Sequence, residues 1–216
     1  MLNDVSTEYP SWEIMWDDVN AAPKAYVDEN VSISIEENGP LRVSLKISRT
    51  KNGSKFVQYV RLMPAGVSGR IDFVNEVDWR SRGTLLKAEF PLRATNSTAT
   101  YDLSLGAIER GVNKSNLYEV AGHQWADQMH SSGLYGVSIL NDCKYGWDKP
   151  SNSMLRLTLI HTPSVGSGYV YQKDQDLGYN KFSYSFYSHL AGWNEKTQWE
   201  ASRLNQPMLA FRAPKH

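Results

Sequence analysis

Residues 135–148, YGVSILNDCKYGWD, begin as an apolar strand. They then place Asn141, Asp142, Cys143, Lys144 and Tyr145 in five consecutive positions. An amide, a carboxylate, a thiol, an amine and a phenol at the end of an apolar strand can serve as a reactive cluster or as a binding one. Asp142 and Lys144 are two apart, so in extended chain they share a face.

Two readings of this cluster stand side by side. A sugar presents hydroxyls around its edge and C–H groups on its faces. Asn141, Asp142 and Lys144 suit the hydroxyls, and Tyr145 or Trp147 offers a flat apolar surface. The plainer reading is an Asx-turn closed by Asn141 or Asp142, with Lys144 as a salt-bridge partner. On these residues alone the turn is the simpler account, because turn chemistry explains Asn, Asp and Gly146 without a ligand.

No other constellation competes with it. Hydrolysis of a glycosidic bond needs two carboxylates facing that bond. With 23 acidic residues, the spacing cannot choose a pair. The histidines are His123, His130, His161, His189 and His216, and none lies in a His-x-Asp, His-x-His or His-Glu-x-x-His pattern. They read as surface or strand-end histidines, with no metal site among them. Cys143 is the single cysteine, so no intrachain disulfide forms, and it is expected to be a buried, inert thiol. No Gly-x-Ser-x-Gly elbow is present. The sequence therefore nominates no catalytic residue.

Bulk properties remove further classes. The 216 residues suit one large domain. Lys+Arg and Asp+Glu are 23 each, and this zero net charge argues against nucleic acid and against attraction to anionic membranes. No apolar run reaches the roughly 20 residues of a membrane helix. The N-terminus lacks a basic-then-apolar signal pattern, which, with the single cysteine, slightly favours the cytoplasm. Asn-x-Ser/Thr triplets at Asn30, Asn52, Asn96 and Asn113 read as chance. The 7 Trp and 12 Tyr suit large sheet faces more readily than sugar platforms.

A period of two runs through the elements that must position the cluster. Val31, Ile33 and Ile35 share one face, followed by Leu41, Val43, Leu45 and Ile47 facing inward. Asn52-Gly53 then marks a hairpin. The same alternation groups Ile71, Phe73, Val77 and Trp79; Leu86, Ala88, Phe90 and Leu92; Tyr101, Leu103 and Leu105. It continues through Tyr135, Val137 and Ile139; Leu155, Leu157 and Leu159; Phe182, Tyr184 and Phe186. One wet and one dry face per strand suits stacked antiparallel sheets. The expected fold is all-β, a large antiparallel β-sandwich with at most one or two short helices. HQWADQM is expected to form a helical turn. Residues 195–205 are expected to form a helix with Trp199 and Leu204 as its apolar contacts. Residues 162–180 read as a long exposed loop. Residues 1–29 read as a leading segment or linker with the first strand, and 30–216 as the sandwich domain.

Several segments together resemble a known family. FVNEVDWRSRGTLLKAEFPL, HQWADQM, YGVSILNDCKYGWD, SMLRLTLIHTP, FSYSFYSHLAGW and ASRLNQPML occur in the order of the C-terminal β-rich region of family 38 glycoside hydrolases, the α-mannosidases. The resemblance runs from about residue 12 almost to the end, and LNDCKYG is among its most specific pieces. It departs at GVNKS after Glu109-Arg110. It departs also in residues 164–178, which are longer and keep only Asp176-Leu177-Gly178, and at Ser188, where proline is typical.

The resemblance implies a supersandwich of the galactose mutarotase-like kind, truncated at its C-terminus. It implies an excised domain or a natural fragment of a large retaining α-mannosidase. In that family a divalent metal, usually zinc, and the aspartate nucleophile belong to an N-terminal α/β barrel, followed by a helical domain. Barrel and helical domain are then the partners, together with mannose-containing carbohydrate. The chain itself is expected to hold no cofactor and to be inactive alone. Asn141, Asp142, Lys144 and Tyr145 become candidates for a loop facing the mannose cleft or the barrel, with no catalytic role. The alternative is a free-standing module that binds mannosides through Tyr145 or Trp147. A purely structural module would instead expose apolar surface.

Overall fold

The computed structural model describes residues 1–5, 9–64, 66–206 and 208–212. Among the described residues fourteen strands form: β1 (Leu2–Asn3), β2 (Glu29–Asn38), β3 (Val43–Lys51), β4 (Ser54–Leu62), β5 (Arg70–Trp79), β6 (Thr84–Pro91) and β7 (Thr98–Asp102). There follow β8 (Ala107–Gly111), β9 (Val120–Ala121), β10 (Trp125–Met129), β11 (Tyr135–Asn141), β12 (Gly146–Ser151), β13 (Met154–Thr162) and β14 (Gly178–Leu190). Helix α1 (Trp16–Asn20) precedes β2, α2 (Glu195–Asn205) follows β14, and a 3-10 turn spans Ser167–Gln172. Among the described residues no helix is long and apolar enough to cross a membrane.

The strands form two antiparallel sheets packed face to face. One has five strands in the order β1-β6-β13-β12-β9, the other nine in the order β2-β3-β4-β5-β14-β11-β10-β7-β8. The alternating residues meet between them. Leu86, Phe90, Trp147, Leu155, Leu157 and Leu159 of the first sheet pack on Phe56, Val77, Trp79, Tyr101, Ile139 and Phe182 of the second. The Trp79 indole N–H, buried there, donates to Thr162 Oγ1 at 2.9 Å. The β3–β4 hairpin closes as expected, with Lys51 opposite Ser54 and both Asn52 (φ 48°) and Gly53 (φ 76°) left-handed.

Four local expectations are corrected. HQWADQM is strand, because Trp125–Met129 pairs with β7 and β11 on both sides and interstrand hydrogen bonds outweigh helix propensity. Tyr101 is core, but Leu103 and Leu105 are exposed. β7 ends at Asp102, whose carboxylate accepts from Ser104 N at 2.9 Å and turns the chain. Helix α2 forms over 195–205, capped by the Asn194 side chain. It buries Thr197, Glu200 and Ala201, whereas Trp199 is exposed and Leu204 packs only partly. Finally, Leu41, Val43 and Leu45 are exposed rather than inward, and Val31, Ile33 and Ile35, which share one face, are exposed as well.

The leading residues join the fold. β1 pairs with β6, and Met1 and Leu2 are buried. Residues 163–177 form the long loop around the 3-10 turn.

Candidate functional site

Strand β11 ends in the nine-stranded sheet and β12 starts in the five-stranded one, so residues 142–145 carry the chain from sheet to sheet. Asn141 ties that crossing together. Its side chain is buried; Nδ2 donates to the His123 carbonyl at 2.7 Å, and Oδ1 accepts from Lys144 N at 2.7 Å. Its own carbonyl accepts from Asn205 Nδ2 at the end of α2, at 3.0 Å. One residue thus joins the β9–β10 connection, the crossing and the helix terminus. Asp142 N donates to the Ser183 carbonyl at 3.2 Å, and Asp142 Oδ2 accepts from Ser183 N at 2.9 Å.

The other members divide. Lys144 makes no ion pair among the described residues; its ammonium stands 5.0 Å from the centroid of the Phe182 ring. The expected turn is therefore present and the expected salt bridge is absent. Cys143 is exposed, not buried. Partial burial of its sulfur, and then the Asp142 carboxylate, push the thiol up to about 11, so it stays protonated and weakly nucleophilic at neutral pH. Tyr145 is 55% exposed beside the His123 ring. Trp147 is wholly buried against Tyr101, so it offers no platform to a ligand. Gly122 lies under its indole, and a Cβ there would stand 2.9 Å from Trp147 Cδ1.

Two polar clusters are brought together that the sequence reading missed. The first lies on the outer face of the five-stranded sheet. Asp148 is fully buried and accepts from Lys87 Nζ (2.8 Å), Arg156 Nε (2.9 Å) and Asn113 Nδ2 (2.8 Å). Glu119 also contacts Lys87 and Thr158. Alternation with Leu86 and Ala88, and with Leu155 and Leu157, puts Lys87 and Arg156 on the wet side. That face is dry because buried Val19 of α1 and the chain around Asn113 and Glu119 lie across it, and Arg156 Nη2 donates to the Val19 carbonyl at 2.9 Å. The available signal was opposite charge on neighbouring strands, at Lys87, Asp148 and Arg156.

The second cluster sits under α2 and holds the residue types of a hydrolytic triad. Ser138 Oγ (2.7 Å) and His189 Nε2 (2.6 Å) both bond to Asp127 Oδ2. A serine nucleophile needs its hydroxyl on the histidine. Here the carboxylate is at the centre, and the serine and histidine do not touch through their polar atoms. His189 Nδ1 donates to the Ala191 carbonyl at 2.9 Å, so both ring nitrogens are donors and the imidazolium fits best. Gly136 makes room for it, since a Cβ there would meet His189 Cε1 at 2.6 Å.

Burial of His189 lowers its pKa, but the Asp127 hydrogen bond and charge outweigh that and raise it above its ordinary 6.5. A raised folded value means that His189 contributes its full stabilisation below the unfolded pKa and loses it as pH rises through the folded one. Urea midpoints are therefore expected to fall from mildly acidic to alkaline pH, and His189→Gln to flatten that slope. An unchanged slope in the variant would show that His189 is not the group responsible.

Three of the remaining histidines pack against neighbouring side chains. His123 contacts Ser104, His130 stacks on Tyr135, and His161 faces Asp4 at 3.0 Å; His216 lies outside the described residues. Among the described residues no three His, Cys, Asp or Glu side chains converge, so the donors present do not fit a zinc ion. An aromatic run lies elsewhere. The Trp12 ring stands 6.2 Å from both Tyr9 and Tyr169, and Tyr169 stands 6.2 Å from Tyr171. Ser11, Gln172 and Gln175 are hydrogen-bonded beside it.

Comparison with known proteins fits this picture. The family described as "Glycosyl hydrolases family 38 C-terminal domain" matches residues 1–166. Human "Alpha-mannosidase 2C1" is 29% identical over 99% of this chain, which spans 20% of that protein. "Alpha-mannosidase G" of Dictyostelium discoideum is 30% identical over 72% of this chain and 14% of its own length. The crystal structure of an alpha-mannosidase from Enterococcus faecalis V583 superimposes with a TM-score of 0.74 at 16% identity, covering 87% of this chain and 26% of that one. The chain thus spans about a fifth or less of the curated relatives it matches. Its two-sheet fold and the match over most of its length agree: it belongs to the family of glycosyl hydrolase family 38 C-terminal domains.

Proposed function

We propose that the chain is the non-catalytic β-sandwich of a longer α-mannosidase, serving to brace a catalytic barrel and helical domain encoded in the same polypeptide. One observation carries the reading. The two buried polar clusters, Asp127–Ser138–His189 and Lys87–Asp148–Arg156, are paired within the protein itself. A nucleophile and a metal set would then belong to the remainder of the protein. Of the candidates, Asn141 and Asp142 Oδ2 are spent on backbone, and Lys144 and Tyr145 are left to meet a barrel or a sugar.

The expected result is no release of 4-nitrophenol from 4-nitrophenyl α-mannoside by the pure chain, with or without added zinc. Hydrolysis by the longer polypeptide should be lost when this segment is deleted. Metal-dependent turnover by the chain alone would overturn the reading.

A second reading, direct mannoside binding, is favoured by the Tyr9–Trp12–Tyr169–Tyr171 run. Trp12 is 70% and Tyr171 68% exposed, with amides alongside. Calorimetric titration with oligomannose is then expected to give heat that Trp12→Ala abolishes and Tyr145→Ala leaves unchanged. No heat from the parent chain removes this reading.

A further inference from the structure

Helix α2 is held to the outer face of the nine-stranded sheet mainly by polar groups. Its apolar seat is small: Ala201 packs with Trp125 and Leu140, and Leu204 is partly buried beside them. The rest is hydrogen bonding. Glu200 accepts from Arg70 Nη1 at 2.9 Å, Gln198 Oε1 accepts from the Trp125 indole N–H at 2.9 Å, and the Thr197 and Ser138 hydroxyls stand 3.2 Å apart. At the far end Asn205 Nδ2 reaches the Asn141 carbonyl at 3.0 Å. An element with few buried apolar contacts opens at a lower free energy than core strands do.

The link into the helix, residues 191–194, begins with a conformation that alanine disfavours. Ala191 has φ 57°, in the left-handed region. Two hydrogen bonds hold it there. Its N–H donates to the Leu134 carbonyl at 2.9 Å, and its carbonyl accepts from His189 Nδ1 at 2.9 Å. The other ring nitrogen, Nε2, donates to Asp127 Oδ2 at 2.6 Å. Only the imidazolium has a proton for both. When it loses one, the buried Asp127 carboxylate keeps the Nε2 proton, because a buried carboxylate facing a ring lone pair is the costlier arrangement. The Nδ1 lone pair then faces the Ala191 carbonyl oxygen, and the bond that held the turn becomes a repulsion.

The surroundings leave His189 as the titrating group. β10 supplies Asp127, whose ion-pair partner among the described residues is His189. β11 supplies Ser138 and the space over Gly136, and α2 supplies Thr197 above Ser138. On β14 the Tyr187 ring stands 5.9 Å away, its phenol kept neutral by burial and by Glu200. Glu200 is paired with Arg70 and Arg203, and Asp72 with Arg70, while Glu195 and Lys196 stand in solvent.

We propose that His189 is a proton-operated latch for α2. Its imidazolium pins the Ala191 turn and seats the helix at mildly acidic pH. Loss of the proton at alkaline pH frees the turn, and α2 opens locally while both sheets stay closed. Opening withdraws Asn205 from Asn141, so the 142–145 crossing loosens with the helix.

Hydrogen exchange on the native polypeptide tests it. Intrinsic exchange rates change with pH, so protection factors are compared, at about pH 6 and about pH 9. Protection of the amides of residues 199–205 is expected to fall roughly tenfold or more between the two, and that of β5 and β13 to change far less. His189→Gln cannot carry the charge and should give low helix protection at both values. Ala191→Gly removes the disfavoured Cβ, so the turn no longer needs the latch, and α2 should stay protected at both. Equal losses in α2, β5 and β13 would mean global unfolding, and pH-independent helix protection in the parent would mean no latch; either overturns the proposal. A parent-like pH dependence in Ala191→Gly overturns it as well, and that variant decides the matter should His189→Gln fail to fold.

Discussion

Asp148→Ala is expected to cost about 3–5 kcal/mol, the range for breaking a buried ion pair by removing one partner. The loss is not that of a surface pair. Asp148 has no exposed side-chain area, and the Lys87 and Arg156 side chains are 2% and 5% exposed. With the carboxylate gone, Glu119 still faces Lys87, but Arg156 keeps only Glu89 at 3.7 Å and the Val19 carbonyl. Asn in place of Asp148 keeps the volume and removes the charge, so it should cost nearly as much as Ala. Chemical denaturation of both variants measures this. A loss under about 1 kcal/mol, the level of an exposed pair, would show that the cluster is solvated in solution.

The same carboxylate gives acid sensitivity. Burial alone would raise its pKa, but the Lys87 and Arg156 charges outweigh burial and hold it below its ordinary 3.8. A depressed folded value contributes stability above the unfolded pKa and loses it as pH falls through the folded one. Acid unfolding of the parent should therefore draw on Asp148, and that component should vanish in Asp148→Asn.

Trp147→Ala is expected to cost about 3–5 kcal/mol, because a fully buried indole leaves a cavity that Gly122 and Tyr101 cannot fill. Tyr145→Ala, two residues earlier and half exposed, should cost less than about 1 kcal/mol. Near-UV circular dichroism checks the pair: Trp147→Ala should lose tertiary signal, and in Tyr145→Ala the fold should stay intact. The reverse ordering of stabilities would contradict the placement of both side chains.

Much of the fold was legible from period alone. Leu155, Leu157 and Leu159 alternate and lie in the core, and Asn52-Gly53 turns where only left-handed backbone closes a two-residue loop. The helix over 195–205 was legible as well. HQWADQM was not, because Trp125 is buried under a helix on one face of its strand while Ala126 faces the intersheet core on the other. A strand covered on both faces loses the alternation on which the reading depends. The cluster at 141–145 was legible as residue types and turn chemistry, but not as to which atoms remain free.

Local pattern by itself determined that this is a sandwich of two-faced strands, that an Asn-Asp-Gly segment turns after an apolar strand, and which family the order of segments resembles. These are properties of neighbours in the chain, where side-chain period and turn preference act. Only the tertiary structure decided that Trp147 is core and Tyr145 is surface. It alone showed that Lys87, Asp148 and Arg156 meet on a covered face, and that Ile33 and Leu45 lie uncovered. Burial is set by what packs across from a residue, and that partner comes from another sheet or a distant loop.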